Sequence, residues 1–422
     1  MIEKPKLFLT ANEFWLTVLL FLVLLTIRLS FLYNEYQEFI SKPFYFTHVK
    51  VLQQYKKEKK GKTYTILRVY SSELDLNFFT RTYKKENFIG KRVRLKLFPY
   101  RKMHFFEYLG ISFISSQINA VSDKPDSFKS SVLGSIESQH SQEMIVSFYQ
   151  AIFLATPLQK ELREQVSKLG ISHLVALSGL HLAILSGVLF FLFRPIYRIF
   201  QQRYFPYRFD LIDIGFLVLV ILGWYVWFVE TPASLLRSYA MMVVGWTILV
   251  LGIELLSFSF LVMIVMILLL LFPKMLVSLA FWFSVLGVFY IFLLIKRFSD
   301  TNKFLMTPVI SFGIFVLMLP IVHIIFPTTS TLQLYSPLLS LGFSFFYPIS
   351  IFCHMVGRGG MFDGVLLKLF TLESQVVDVK IGMIFGVGYL FLSIGAIYYR
   401  RLFYLLLLVA FGFMGWMFLM NN

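Results

Sequence analysis

Ser178 and His181 stand three residues apart in G-I-S-H-L-V-A-L-S-G-L-H-L, residues 170–182, and have the types and spacing of a nucleophile and its base. On a helix they would be neighbours. No carboxylate stands nearby in sequence to orient the imidazole, so acyl-transfer chemistry is a weak reading of the pair. The same stretch holds Ser172 and His173 at the entrance of an apolar run that continues to Phe193. An uncompensated hydroxyl in hydrocarbon costs roughly 2 to 7 kcal/mol, so such groups face protein or a water-filled cavity. At about 100° per residue a continuous helix would gather Gly170, His173, Ser178 and His181 within an arc of roughly 140°, a wet stripe on a greasy helix. Gly179 offers the alternative of a broken helix, which at membrane depth must also line protein or a cavity.

The elements that position these groups follow from composition. Of 422 residues, 58% are hydrophobic and 18% aromatic, and the mean hydropathy is +0.73. That is too apolar for a soluble domain and too long for one span, which makes the chain a polytopic membrane protein. The net charge is +16. The single cysteine, Cys353, lies in an apolar run, so neither an intrachain disulfide nor a cysteine metal site is expected. None of the seven histidines falls in a metallo-hydrolase spacing, and no Walker motif is present, so no metal and no cofactor are expected and energy must come from a partner or from pulling by the cytoplasm.

An apolar segment at 14–33 follows Lys4 and Lys6 and lacks a small-residue cleavage pattern, the signature of an uncleaved anchor. From 42 to 121 the period changes to two, clearest in Arg92-Val93-Arg94-Leu95-Lys96-Leu97. Similar runs at 44–51, 63–70, 76–83 and 105–118 predict five strands, enough for a small barrel. Seventeen lysines and arginines stand here against five carboxylates, the footprint of a polyanion site. Lys62, Arg68, Lys91, Arg92, Arg94 and Lys96 are its expected contacts, and Tyr64, Tyr70, Phe78, Phe79, Tyr83 and Phe88 are either stacking platforms or barrel filling. Anionic lipid headgroups are the competing partner.

Residues 131–172 repeat apolar positions at helical spacing among charges, as surface amphipathic helices do. Further spans are expected at 173–193, 211–228, 234–251, 255–272, 275–295, 304–322, 332–354, 381–398 and 402–420, about ten with the anchor. Arg194, Arg198, Arg203 and Arg208 mark the loop after 193 as cytoplasmic, which puts the barrel outside, although Arg400 and Arg401 do not fit a simple count of ten. Arg237 lies within a span one turn beyond Pro232, where a central arginine costs about 2.5 to 3.5 kcal/mol. It either snorkels toward Glu230 or faces a polar path.

Residues 170–182 also resemble the signature of the ComEC-type DNA-internalisation (competence) channel family, whose pattern reads close to G-L-S-H-L-L-A-V-S-G-L-H. Pro232, Ser234 and Arg237 are similar to that family's second polar motif, with Ser238 where alanine is usual, and 272–287 resembles a third block in which Phe281 and Ser284 are kept while Ala280 and Trp282 replace glycine and glutamine. The resemblance is to a short form lacking the C-terminal metallo-hydrolase-like domain. It implies an anchor helix at 1–33, an OB-like domain at 42–121 on the periplasmic side, amphipathic helices at 131–172 and a transmembrane channel domain at 173–422 of the bacterial inner membrane. The implied function is uptake of single-stranded transforming DNA, with His173, Ser178, Gly179, His181, Arg237 and Ser284 along the path and no catalytic residue. Implied partners are the DNA strand, a periplasmic DNA receptor, a cytoplasmic motor or single-strand-binding protein, and the membrane; whether one chain or a homo-oligomer encloses the path stays open. The alternatives are an intramembrane serine/histidine enzyme and an exporter of another anionic polymer.

Overall fold

A computed structural model describes residues 7–59, 62–84, 86–89, 91–100, 102–122, 128–252, 257–299 and 301–419. The chain forms two compact units, one of Phe8–Ser131 with Met263–Phe281, the other built on Val132–Val262 and Trp282–Asn422.

In the first unit, α1 (Ala11–Ser41) opens with a reciprocal cap: Thr10 Oγ1 accepts the Glu13 amide, and Glu13 accepts the Leu9 amide. Leu25, Leu32, Tyr36 and Phe39 are its buried positions, a stripe at spacings of seven, four and three. The sequence places the end of the anchor at 33; the helix instead runs eight residues further, because Tyr36 and Phe39 belong to the core of the following sheet and continue that stripe.

That sheet comprises β1 (Tyr45–Lys59), β2 (Lys62–Ser71), β3 (Leu76–Thr82) and β4 (Arg92–Phe98), then a short helix α2 (Phe105–Leu109), β5 (Ile111–Phe113) and β6 (Ser115–Ser122). The order is β5-β3-β2-β1-β4-β6, antiparallel except for β3 with β5. Two expectations are corrected. The fifth strand is a helix followed by two strands, and the sheet is not a closed barrel. Its two edge strands are consecutive in the chain, and they meet β3 through the Ile114 amide donating to the Phe79 carbonyl and through Thr80 Oγ1 against Ser116 Oγ, at 2.8 and 2.6 Å. Alternation decides what is inside: Val93, Leu95 and Leu97 of β4 are fully buried with Val49, Val51, Leu67, Val69, Phe78 and Phe88.

The rest of the chain is helical, most of it in the second unit, with residues 263–271 of α10 in the first: α3 (Phe128–Glu137), α4 (Glu143–Leu154), α5 (Lys160–Lys168), α6 (Ser172–Val175), α7 (Gly179–Tyr204), α8 (Asp210–Phe228), α9 (Ala233–Val250), α10 (Phe258–Leu271), α11 (Leu279–Arg297), α12 (Lys303–Ile325), α13 (Ser336–Met355), α14 (Asp363–Phe370), α15 (Met383–Tyr398) and α16 (Arg400–Leu419). Two short strands, β7 (Thr328–Ser330) and β8 (Val376–Asp378), pair antiparallel. Among the described residues, seven helices are long and apolar enough to cross a membrane: α1, α7, α8, α11, α12, α13 preceded by its 3-10 turn, and α16. Three of the ten expected spans, α9, α10 and α15, are shorter apolar helices. The chain is a multi-pass membrane protein. Arg194 and Arg198, expected in a loop, lie on α7, which continues as a helix past Pro195 to Tyr204.

Candidate functional site

The signature at 170–182 is where the helix breaks. Gly170 closes α5 in the left-handed region at φ 67°, with the Ile171 amide returning to the Val166 carbonyl. A Cβ at 170 would meet Gln333 Cγ at 3.2 Å. After the single turn of α6 the backbone is extended at Ala176 and at Ser178, and α7 begins at Gly179. The wet helical stripe is therefore not formed; the broken alternative is.

The break is held by two other helices. Ser234 Oγ, in the first turn of α9, donates to the Leu177 carbonyl at 2.7 Å, replacing a bond that the interrupted helix cannot supply. Ser238 Oγ donates to the Ser234 carbonyl and lies so close to Gly179 that a Cβ there would sit 3.0 Å away. On α13, Ser336 Oγ donates to the Gly170 carbonyl at 3.1 Å and Ser340 Oγ to the Ser336 carbonyl at 2.7 Å, so Ser340 accepts from His173 Nε2 at 3.3 Å.

Ser178 and His181 form a cap rather than an aligned nucleophile and base. His181 Nδ1 accepts the Ser178 amide at 3.3 Å, with Ser178 Oγ at 3.4 Å. A neutral ring accepting at Nδ1 carries its proton on Nε2. That atom is buried without a hydrogen-bond partner, while the ring meets Phe343 and Tyr347 edge-on at 5.1 and 4.8 Å. His173 differs. Its side chain is exposed, yet desolvation by the protein around it lowers its proton affinity below the usual range, against a backbone hydrogen bond to Gly170 that acts the other way.

Arg237 is 7% exposed, next to the Ser238 that packs on Gly179. The turn leading to α9 is strained: Glu230 and Thr231 both take left-handed backbone, at φ 69° and 50°, which a β-branched residue rarely adopts. Ser284 is not gathered into this arrangement. It lies on an exposed face of α11 and makes none of the contacts that join α7, α9 and α13.

A family model described as competence protein matches residues 156–421, more than half of the chain. The chain belongs to the competence protein family. The resemblance carried by the signature stands, and the match takes in the broken helix, α9 and α13 together. No curated protein and no solved structure matches. The sheet lies outside the matched residues, so its surface is argued from its own geometry.

On that surface of this competence-family chain, Arg92, Arg94 and Lys96 point outward from β4, opposite Lys50, His48 and Phe46 of β1. Lys96 Nζ lies 4.1 Å from the Phe44 ring centroid and Arg94 lies over Phe46 at 5.4 Å. Arg68 shares the face through β2, where Tyr70 stands opposite Lys50, and Lys91 leads into β4. Glu73 interrupts the positive charge; its hydrogen bond from His48 Nδ1, at 3.0 Å, holds its carboxyl below the usual range. Lys62 lies on β2, but its side chain is outside the described residues. Of the rings left open between stacking and filling, Phe78 and Phe88 are fully buried core, while Tyr83 is exposed under Arg81 at 5.4 Å, and Phe44 and Phe46 also accompany the cations.

One cluster escaped sequence reading. His140 Nδ1 meets the Asp363 carboxylate at 2.9 Å, and His140 Nε2 meets His354 Nε2 at 2.9 Å. His354 Nδ1 donates to the Ser350 carbonyl, and Tyr149 stacks on His140 at 4.6 Å. Gly359 fits only as glycine, because a Cβ would sit 2.8 Å from His354. No spacing signal links residues this far apart.

Proposed function

We propose that this protein conducts single-stranded transforming DNA across the bacterial inner membrane into the cytoplasm. The observation that carries the reading is the broken helix at 176–178, held by serines of α9 and α13, with the buried Arg237 beside it. A strand with one negative charge per phosphate needs fixed cations and donors through hydrocarbon. His173, against Ser340 Oγ, serves as a hydrogen-bonding wall and Arg237 as the cation. The likeness of residues 170–182 to the DNA-internalisation signature supports DNA as the substrate.

The sheet is the collecting surface on the periplasmic side. Its parallel β3–β5 pair and the Ile114–Phe79 bond support an OB-like reading, and its cations alternate with exposed rings as single-strand surfaces do. A periplasmic receptor and a cytoplasmic motor or single-strand-binding protein complete the path. An intramembrane enzyme at Ser178 is disfavoured, because the histidine nitrogen facing the hydroxyl also accepts an amide.

Fluorescent DNA followed by compartment tests the reading. In a strain carrying Arg237→Ala, cytoplasmic DNA falls on the order of 100-fold while DNA still accumulates outside the membrane. Unchanged cytoplasmic uptake would falsify the conduit.

A further inference from the structure

Between α7, α8 and α9 lies an open groove of about 1010 Å³, walled by Phe190, Phe191, Leu192, Pro195, Leu211 and Met242. Gly187 forms part of its floor, and a Cβ added there meets nothing within 4 Å. Phe191 is 84% exposed and Leu211 52%. At one end stand Arg194 and Arg198. Both reach with Nε for the same carboxylate oxygen of Asp210, at 2.9 and 3.3 Å. Two guanidiniums on one carboxylate leave a surplus positive charge, and the terminal nitrogens of both forks are not spent on that contact.

The dimensions agree with one leaflet of a bilayer. From Arg194 back to Ala183, the far lining residue, α7 rises about 16 Å, against roughly 15 Å for half of a hydrocarbon core. We propose that this groove binds an anionic phospholipid, its phosphate between Arg194 and Arg198 and an acyl chain laid along the Gly187 wall. A zwitterionic headgroup brings its own cation to a site that already has surplus positive charge. A bare phosphodiester strand would be desolvated against phenyl and aliphatic walls without return. Basic pockets between spans are the general form of such lipid sites. The proposal does not depend on the DNA reading.

The test uses the full chain purified in neutral detergent, with phosphatidylglycerol or phosphatidylcholine of identical acyl chains, and native mass spectrometry to count retained lipid. Phosphatidylglycerol is retained in preference on the order of tenfold, and the Arg194→Gln/Arg198→Gln double variant loses that preference. Gly187→Leu, which fills open space and leaves both arginines intact, lowers phosphatidylglycerol retention as well; it carries the test should the double variant fail to fold. Equal retention of the two lipids overturns the proposal. So does retention indifferent to Gly187→Leu, or displacement of the lipid by a single-stranded oligonucleotide, which would assign the arginines to a polyanion path.

Discussion

The basic face of the sheet and the broken helix at 176–178 hold charge and polarity in opposite ways. On the sheet, Arg92, Arg94 and Lys96 occupy alternate positions of one strand and owe their outward direction to the burial of Val93, Leu95 and Leu97. Each residue is placed by its immediate neighbours, and the whole face works in water. At the helix break, local caps at Gly170 and Ser178 end and begin the helices, but Ser234 meets Leu177, Ser336 meets Gly170 and Ser340 meets His173 only because separate helices are packed together. The lesson is that a surface built by alternation loses function by degrees as residues are removed, whereas an assembled polar seam is lost with one hydrogen bond or one charge.

That contrast can be broken. Replacing Arg92, Arg94 and Lys96 together with glutamine weakens single-stranded DNA binding by the full chain and lowers the slope of log affinity against log salt by about 2, from roughly 0.7 per phosphate contact; anisotropy titrations across a salt series measure it. A slope unchanged in the triple variant removes the sheet as the collecting surface. Any one of the three replacements costs only its share, unlike Arg237→Ala.

The buried histidine pair sharpens the comparison within the helical unit. His140→Ala leaves Asp363 and His354 without their partner and destabilises the protein by about 1 to 3 kcal/mol, read as a lowered Tm in detergent. His48→Ala, which breaks a solvent-exposed contact to Glu73 on the sheet, changes Tm by much less. Equal shifts would mean that the helical cluster is no better built than a surface pair.

The smallest effect is in pH. Because desolvation depresses the His173 proton affinity in the folded state, the unfolded chain binds the proton more tightly, and stability is lost as pH falls below the usual histidine range. His173→Gln removes that penalty. Its Tm relative to the native chain therefore improves from about pH 8 toward about pH 5, and parallel curves would deny that the ring is desolvated in the folded chain.

How much was legible follows from the same contrast. The alternating run in β4 announces both strand and buried face, and β4 forms at Arg92–Phe98. The rings were legible only in part: Phe78 fills the core because period two turns it inward on β3, Phe88 is buried from the loop that follows, and Phe44 and Phe46 stay outside. The signature marks the special stretch, and Gly179 marks the break at which α7 begins, but the partners on α9 and α13 are set by packing that no spacing encodes. His140 and Asp363 are 223 residues apart, and nothing local to either points to the other. The span count differs where the apolar helices α9, α10 and α15 are short.

Helix α1 has 31 residues with no glycine or proline between Ala11 and Ser41. At about 1.5 Å per residue it is a rod of roughly 46 Å, against a hydrocarbon thickness near 30 Å. The surplus is a stiff stalk whose far end is cemented into the sheet through Tyr36 and Phe39. One alanine inserted beyond Tyr33 would shift the sheet by about 1.5 Å and swing it by roughly 100° relative to the apolar part of α1, without altering a single residue on its basic face.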